Sequence, residues 1–175
     1  QGIGISNLKD SVFNYTKRVV KELDPNYIQI GNEINSGFIF PEGNLATNET
    51  QFLSLLTNAS SVIRANNPTT KIMLHFAGID GSTWFFSKMS AIDYDYIGLS
   101  YYPMWHGTDI SSLQQTMTTL GQTHNKKVLV AETSYPFTLG WNDWTNNIIG
   151  LTNQLHPSYP ASPEGQKAFF QQIKN

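Results

Sequence analysis

Two glutamates stand where a chain can put a carboxylate to chemical use. The first closes the stretch YIQIGNEIN (residues 27–35), in which Tyr27, Ile28 and Ile30 lead through Gly31 into Asn32 and Glu33. The second, Glu132, follows the apolar run VLVA (residues 128–131). A carboxylate at the end of a buried strand can point into a cleft with low-dielectric walls, where one acid keeps its proton while another stays ionised. Glycoside hydrolysis needs such a pair: one carboxyl protonates the leaving oxygen and the other attacks the anomeric carbon. A separation of about 5–5.5 Å gives retention, and about 6.5–9.5 Å leaves room for a water and gives inversion. A lone glutamate at a strand end is as readily a solvated loop residue or an ion-pair partner, so the weight falls on the two together. Glu42 in a Pro-Gly loop and Glu164 at a helix start are ordinary placements, the latter favoured by the helix dipole.

The other candidates collect at similar positions. His75 lies near the end of KIMLHFA, and Ser100, Tyr101 and Tyr102 end YDYIGLSYY, followed by Trp105 and His106. His75 and His106 are expected to contact substrate, and Trp105, between Pro103 and Gly107, to offer a flat face for a sugar ring. His124, near a helix end, is expected at the surface. Trp141 and Trp144 lie in a long polar loop and need a partner there, either ligand or loop packing. The histidines lack the H-E-x-x-H metal spacing, GIGISN at the start lacks the preceding strand of a dinucleotide fingerprint, and no G-x-S-x-G elbow is present.

These residues need elements to hold them. Leu8, Val12, Tyr15, Val19 and Leu23 share one helical face, and DPN (residues 24–26) ends that helix. A strand over residues 27–31 follows. Phe52, Leu55, Leu56, Ala59, Val62 and Ile63 mark a second helix, with Asn48 as candidate cap. Strands over 71–77 and 94–102, a short helix around 83–89, a helix led by Asp109, a strand from 127 and a final helix from Glu164 complete the order. Strict alternation of helix and apolar strand predicts right-handed βαβ units and a parallel sheet covered on both faces. Two architectures fit, an open doubly wound sheet or part of a (β/α)8 barrel. In either, function gathers at the C-terminal strand ends.

Composition narrows the partner. The 175 residues include no cysteine, 14% charged and 13% aromatic residues, with a net charge of −2. A thiolate metal site, a cysteine nucleophile and a disulfide scaffold are excluded. A weakly charged chain rich in Trp, Tyr and Asn suits neutral, hydrogen-bonding, stackable ligands, and neither nucleic acid nor a membrane is expected as partner. No apolar run reaches the roughly 18–20 residues that span a bilayer.

Five segments, QIGNEINSGFIFPEG, KIMLHFAG, YIGLSYYPMWHG, VLVAETSYPFT and YPASPEGQKAFF, together resemble glycoside hydrolase family 53, the arabinogalactan endo-β-1,4-galactanases. The resemblance implies a (β/α)8 TIM barrel and a retaining mechanism on β-1,4-galactan or arabinogalactan oligosaccharides. Glu33 then stands as acid/base at the end of the fourth barrel strand and Glu132 as nucleophile at the end of the seventh. Asn32 would contact a sugar 2-hydroxyl, and Tyr101 or Tyr102 would orient the nucleophile. The family's domain is roughly twice this length. Residues 1–175 are therefore expected to form a partial α/β barrel, roughly from the third barrel helix through the seventh with four parallel strands, a single domain incomplete at both ends and inactive or weak alone. The resemblance also implies an extracellular enzyme that requires no cofactor. Calcium binds some relatives near the loops after strands seven and eight, and Asp143 with its neighbouring asparagines is the candidate here. A related mannanase-like or cellulase-like hydrolase and a non-catalytic galactan-binding fragment are the competing readings.

Overall fold

The structure, a computed structural model, describes residues 4–141, 143–145 and 147–174. Helix α1 (Ile5–Leu23) leads into β1 (Tyr27–Gln29), α2 (Glu49–Asn66) into β2 (Lys71–Ala77), and α3 (Ser82–Lys88) into β3 (Tyr96–Ser100). A short α4 (Pro103–His106) and the longer α5 (Ile110–His124) precede β4 (Lys127–Glu132), and α6 (Pro163–Lys174) closes the described chain. All strands are parallel and their order across the sheet is β1-β2-β3-β4. A doubly wound sheet reverses strand order at a switch point. This sheet never reverses, so it is an arc of a barrel, four strands with their helices on the outside.

The period of two along each strand divides the arc into faces. Ile72, Leu74, Phe76, Ile97 and Leu99 point outward and are buried beneath the helices. There they meet Phe52, Leu56 and Ile63 of α2 and Phe85 and Phe86 of α3. Phe76 and Phe85 stand 5.1 Å apart between centroids, and Phe85 meets Phe86 edge to face at 5.1 Å. Burying each such side chain contributes about 1.5–3 kcal/mol. The register pairs His75 with Gly98 and Ala77 with Ser100, which puts all four on the inner, concave face. Gly98 is needed there because a Cβ would lie 2.7 Å from Met73 Sδ and 3.0 Å from Ala131 Cβ.

Several local expectations change. Tyr15 and Leu23 are 70% and 71% exposed, because α1 flanks β1 at the margin of the sheet and only part of its apolar face meets α2. Val128 through Ala131 are half-buried rather than enclosed, since β4 is the opposite margin. Asn48 spends its amide on the Pro41 carbonyl at 3.0 Å instead of capping α2. Asp109 does cap α5, accepting from the Ser111 N–H. His124 is not simply a surface residue: its ring packs 6.3 Å from Phe86, and burial lowers its pKa.

Candidate active site

The rim is built by how each strand ends. After β1, Gly31 takes a left-handed φ of 72° and Glu33 another, φ 47° and ψ 57°. A left-handed conformation costs a non-glycine residue about 1–2 kcal/mol. It persists here because its surroundings fix it. Ile34 is fully buried, and the Asn35 side chain grips the end of β2, donating to the Ala77 carbonyl at 2.9 Å and accepting from the Ala77 N–H at 2.7 Å. The turn thus holds Glu33 against the sheet's concave end.

Glu132 arrives there by a bulge. Leu99 pairs with Val130, but Ser100 pairs with Glu132, so Ala131 is an extra residue in β4. Under unbroken alternation Glu132 would face the outer helices. One inserted residue turns it to the inner side, the usual way a bulge re-aims a side chain. Oxygens of Glu33 and Glu132 and a ring nitrogen of His75 all lie within 4.8 Å of one another. Two carboxylates remote in sequence therefore face each other across one cleft.

The period of two also separates the tyrosines. Tyr102 shares the inner face and donates its hydroxyl to Glu132 Oε1 at 2.6 Å. Desolvation, and then the contact with Glu132, pushes its pKa up to about 12, so it stays a donor. Tyr101 points outward, is fully buried, and donates to the Gly107 carbonyl at 2.6 Å. It belongs to the core and not to the cleft.

His75 was expected to touch substrate, and the structure encloses it in protein. It is 1% exposed, with Nδ1 at 3.1 Å from Asn32 Oδ1 and Nε2 at 2.9 Å from Ser100 Oγ. Burial lowers its pKa against the pull of Glu33 and Glu132. Ser100 Oγ in turn lies 2.5 Å from Glu33 Oε1. His106 accepts from the Tyr102 N–H through Nδ1 at 2.9 Å, so its neutral ring carries the proton on Nε2. Gly78, with φ at +86°, makes room for that ring, since a Cβ would sit 2.9 Å from His106 Cδ2. Trp105 is 56% exposed and meets Tyr102 edge to face at 5.1 Å, an open aromatic surface beside the carboxylates. Asn32 is exposed next to Glu33.

Sequence reasoning placed Ser100 at a strand end without giving it a role, and overlooked Gln29 and Asn35. A hydroxyl ending the apolar run YIGLS was the one available signal for Ser100. The grip of Asn35 on Ala77 joins positions 42 residues apart and leaves no sequence trace. In the loop after β4, Trp141 and Trp144 are 64% and 91% exposed, so loop packing buries neither. Asp143 Oδ1 accepts from both the Thr145 N–H and its hydroxyl, a local turn. Among the described residues no group of three or more acids and histidines forms around it. Its neighbours Asn142 and Asn146 lie outside the described residues.

The model of glycosyl hydrolase family 53 matches residues 1–175. The chain is 32% identical over 177 residues to an arabinogalactan endo-β-1,4-galactanase of Cellvibrio japonicus, covering 93% of this chain and 47% of that protein. It is 33% identical to an endo-β-1,4-galactanase of Bacillus subtilis, covering 90% of this chain and 38% of that protein. Among solved structures, the GH53 catalytic domain of Ignisphaera aggregans superposes with a TM-score of 0.92 at 37% identity, over 98% of this chain and 50% of that one. A fungal β-1,4-galactanase shares the fold, with a TM-score of 0.80 at 24% identity over 99% of this chain and 55% of that one. The chain spans about half the length of the relatives it matches, or less.

Proposed function

The chain belongs to glycosyl hydrolase family 53, and from that premise we propose that it carries the two catalytic carboxylates of a retaining endo-β-1,4-galactanase. The observation that supports this best is the approach of Glu33 and Glu132 oxygens to within 4.8 Å. An oxygen-to-oxygen approach of that order supports the closely spaced carboxyl pair of a retaining enzyme, about 5–5.5 Å apart, over the wider pair that seats a water.

Glu33 protonates the glycosidic oxygen as Glu132 attacks carbon one, and the aglycone leaves with the proton. Tyr102 holds Glu132 Oε1, which leaves the other carboxylate oxygen to form the bond. In the second step a water attacks carbon one, Glu33 takes its proton, and Glu132 is released. Asn32, exposed beside Glu33, presents its amide N–H to the sugar hydroxyls. Trp105 and His106 border the cleft on the Tyr102 side. The described residues supply four strands of the barrel, and further β/α units of the kind the longer relatives carry would complete the groove. An endo-acting hydrolase meets its polymer outside the cell, so secretion is part of the proposal.

The test follows the anomer first released from β-1,4-galactan by the full-length protein that carries this chain, using proton NMR. The β-anomer is expected. First appearance of the α-anomer overturns retention, and no hydrolysis of galactan alongside turnover of mannan or cellulose overturns the substrate.

A further inference from the structure

The inner face carries a hydrogen-bond chain whose polarity can be read from one end. Gln29 Nε2 lies 2.7 Å from the Gly31 carbonyl oxygen, which can only accept. The amide orientation of Gln29 is therefore fixed, because its oxygen at that position would face another acceptor. The same Nε2 lies 3.0 Å from Asn32, so the atom it meets must be the acceptor Oδ1. Oδ1 then receives a second donor, the Nδ1–H of His75 at 3.1 Å. A neutral His75 with its proton on Nδ1 has a lone pair on Nε2, and that lone pair must accept the Ser100 hydroxyl proton at 2.9 Å.

Ser100 has one proton and two neighbours that ask for it. Its oxygen is also 2.5 Å from Glu33 Oε1. With Glu33 ionised and His75 neutral, one of the two contacts sets lone pair against lone pair. Adding a single proton on the Glu33 side satisfies every link: carboxyl to Ser100, Ser100 to His75, His75 to Asn32. The other placement, a doubly protonated His75, is opposed by its burial.

We infer that Gln29, Asn32, His75 and Ser100 form a directional chain, anchored on the Gly31 carbonyl, that holds the catalytic proton on Glu33. This rests on the acid/base role proposed above for Glu33. Gln29, His75 and Ser100 act as positioning residues through Glu33, and the anchoring leaves Asn32 Nδ2 as the donor for a ligand. Donation of the proton to the glycosidic oxygen leaves the chain one link short. The covalent intermediate is therefore biased to recover a proton from the incoming water, which restores it. Titratable groups facing the chain are Glu132 from β4, Tyr102 and His106 from the segment after β3, and Asp80, sensed at His106, from the loop after β2. None of these named groups brings a permanent positive charge that would favour an ionised Glu33.

Two measurements test the inference. Nitrogen-15 shifts of histidine-labelled protein, without substrate, are expected to show His75 protonated at Nδ1 and bare at Nε2. The opposite tautomer overturns the chain whatever the enzyme hydrolyses. Separately, pH profiles of kcat/KM are compared for the full-length enzyme and for Ser100→Ala and Gln29→Met. The basic limb is expected to move about one pH unit lower in Ser100→Ala and less in Gln29→Met. The loss should be roughly 10- to 100-fold on galactan near neutral pH and clearly smaller on an aryl galactoside whose leaving group needs no proton. Equal losses on both substrates with an unmoved limb reduce these residues to structural support and overturn the inference. If Ser100→Ala does not fold, the tautomer and Gln29→Met still decide. Absence of any glycosidase activity in the parent enzyme counts against the proposed function and leaves the tautomer result standing.

Discussion

The two ends of the sheet each hold a polar cluster, and they are assembled in opposite ways. At the N-terminal end Arg64 of α2 donates to Asp93 at 2.7 Å, to Asp95 at 2.9 Å and to the Thr70 carbonyl at 2.8 Å. Asp95 also accepts the Ile72 N–H at 2.8 Å. Each acid there meets a cation or an amide, and the guanidinium hydrogen bond holds the Asp93 carboxyl below the usual range. At the C-terminal end two glutamates approach within 4.8 Å around a histidine that burial keeps neutral. Among the described residues, the side chains bonded to Glu33 and Glu132 are Ser100 and Tyr102, and neither is a cation. Closing a network with opposite charge makes a joint with nothing left to donate or accept. Bringing two carboxyls together among neutral partners makes a site that responds to a proton or an electrophilic carbon.

That contrast can be broken from either end. The largest effect is expected at the carboxylates. Glu33→Gln should lower galactan hydrolysis by about 10²–10⁴-fold and spare an activated aryl galactoside in part. Glu132→Gln should abolish both, and steady-state rates on the two substrates separate the roles. Tyr102→Phe removes a hydrogen bond to a charged group, of order 1.5–3 kcal/mol, and should cost roughly 10- to 100-fold in kcat with thermal stability little changed. At the other end Arg64→Met should lower stability by about 2 kcal/mol, because Asp95 loses its partner while half-buried. Urea unfolding checks this, and the His75 tautomer should not move.

The smallest effect is in the pH dependence of stability, where the signs can be worked out. Asp93 titrates lower folded than unfolded, so its contribution is complete above about pH 4 and is lost as pH falls through the folded value. Arg64→Met should flatten that acid slope. His75, His106 and His124 are also held low, by burial first. The stability gained by keeping them neutral is complete above about pH 6.5 and declines as acid protonates the unfolded chain. Thermal melts between pH 8 and pH 5 should record a shallow fall.

Much of this could be read from residues alone. The helix-strand order and the two glutamates at strand ends follow from periodicity, since both features are local. Tyr102 could have been separated from Tyr101 by counting alternate positions from Tyr96, because parity along a strand is also local. His75 could not be placed, since a buried polar network and a contact with sugar call for the same residue type. The exposure of Tyr15 and Leu23 depends on α1 lying at a margin of the sheet, which is a property of strand order. The extra residue in β4 left no mark in VLVAE, because a bulge is defined only against the partner strand.

That extra residue has a wider consequence. The portion of β4 before Ala131 keeps the parity demanded by the helices behind it, while the portion after it keeps the parity demanded by the cleft. Two selective pressures that would otherwise compete for one reading frame are thereby uncoupled. Substituting Val128 or Val130 to suit a different helix need not rotate Glu132. Deleting a single residue between Lys127 and Glu132 would silence the rim without disturbing its chemistry, by aiming a sound carboxylate at the wrong side of the wall.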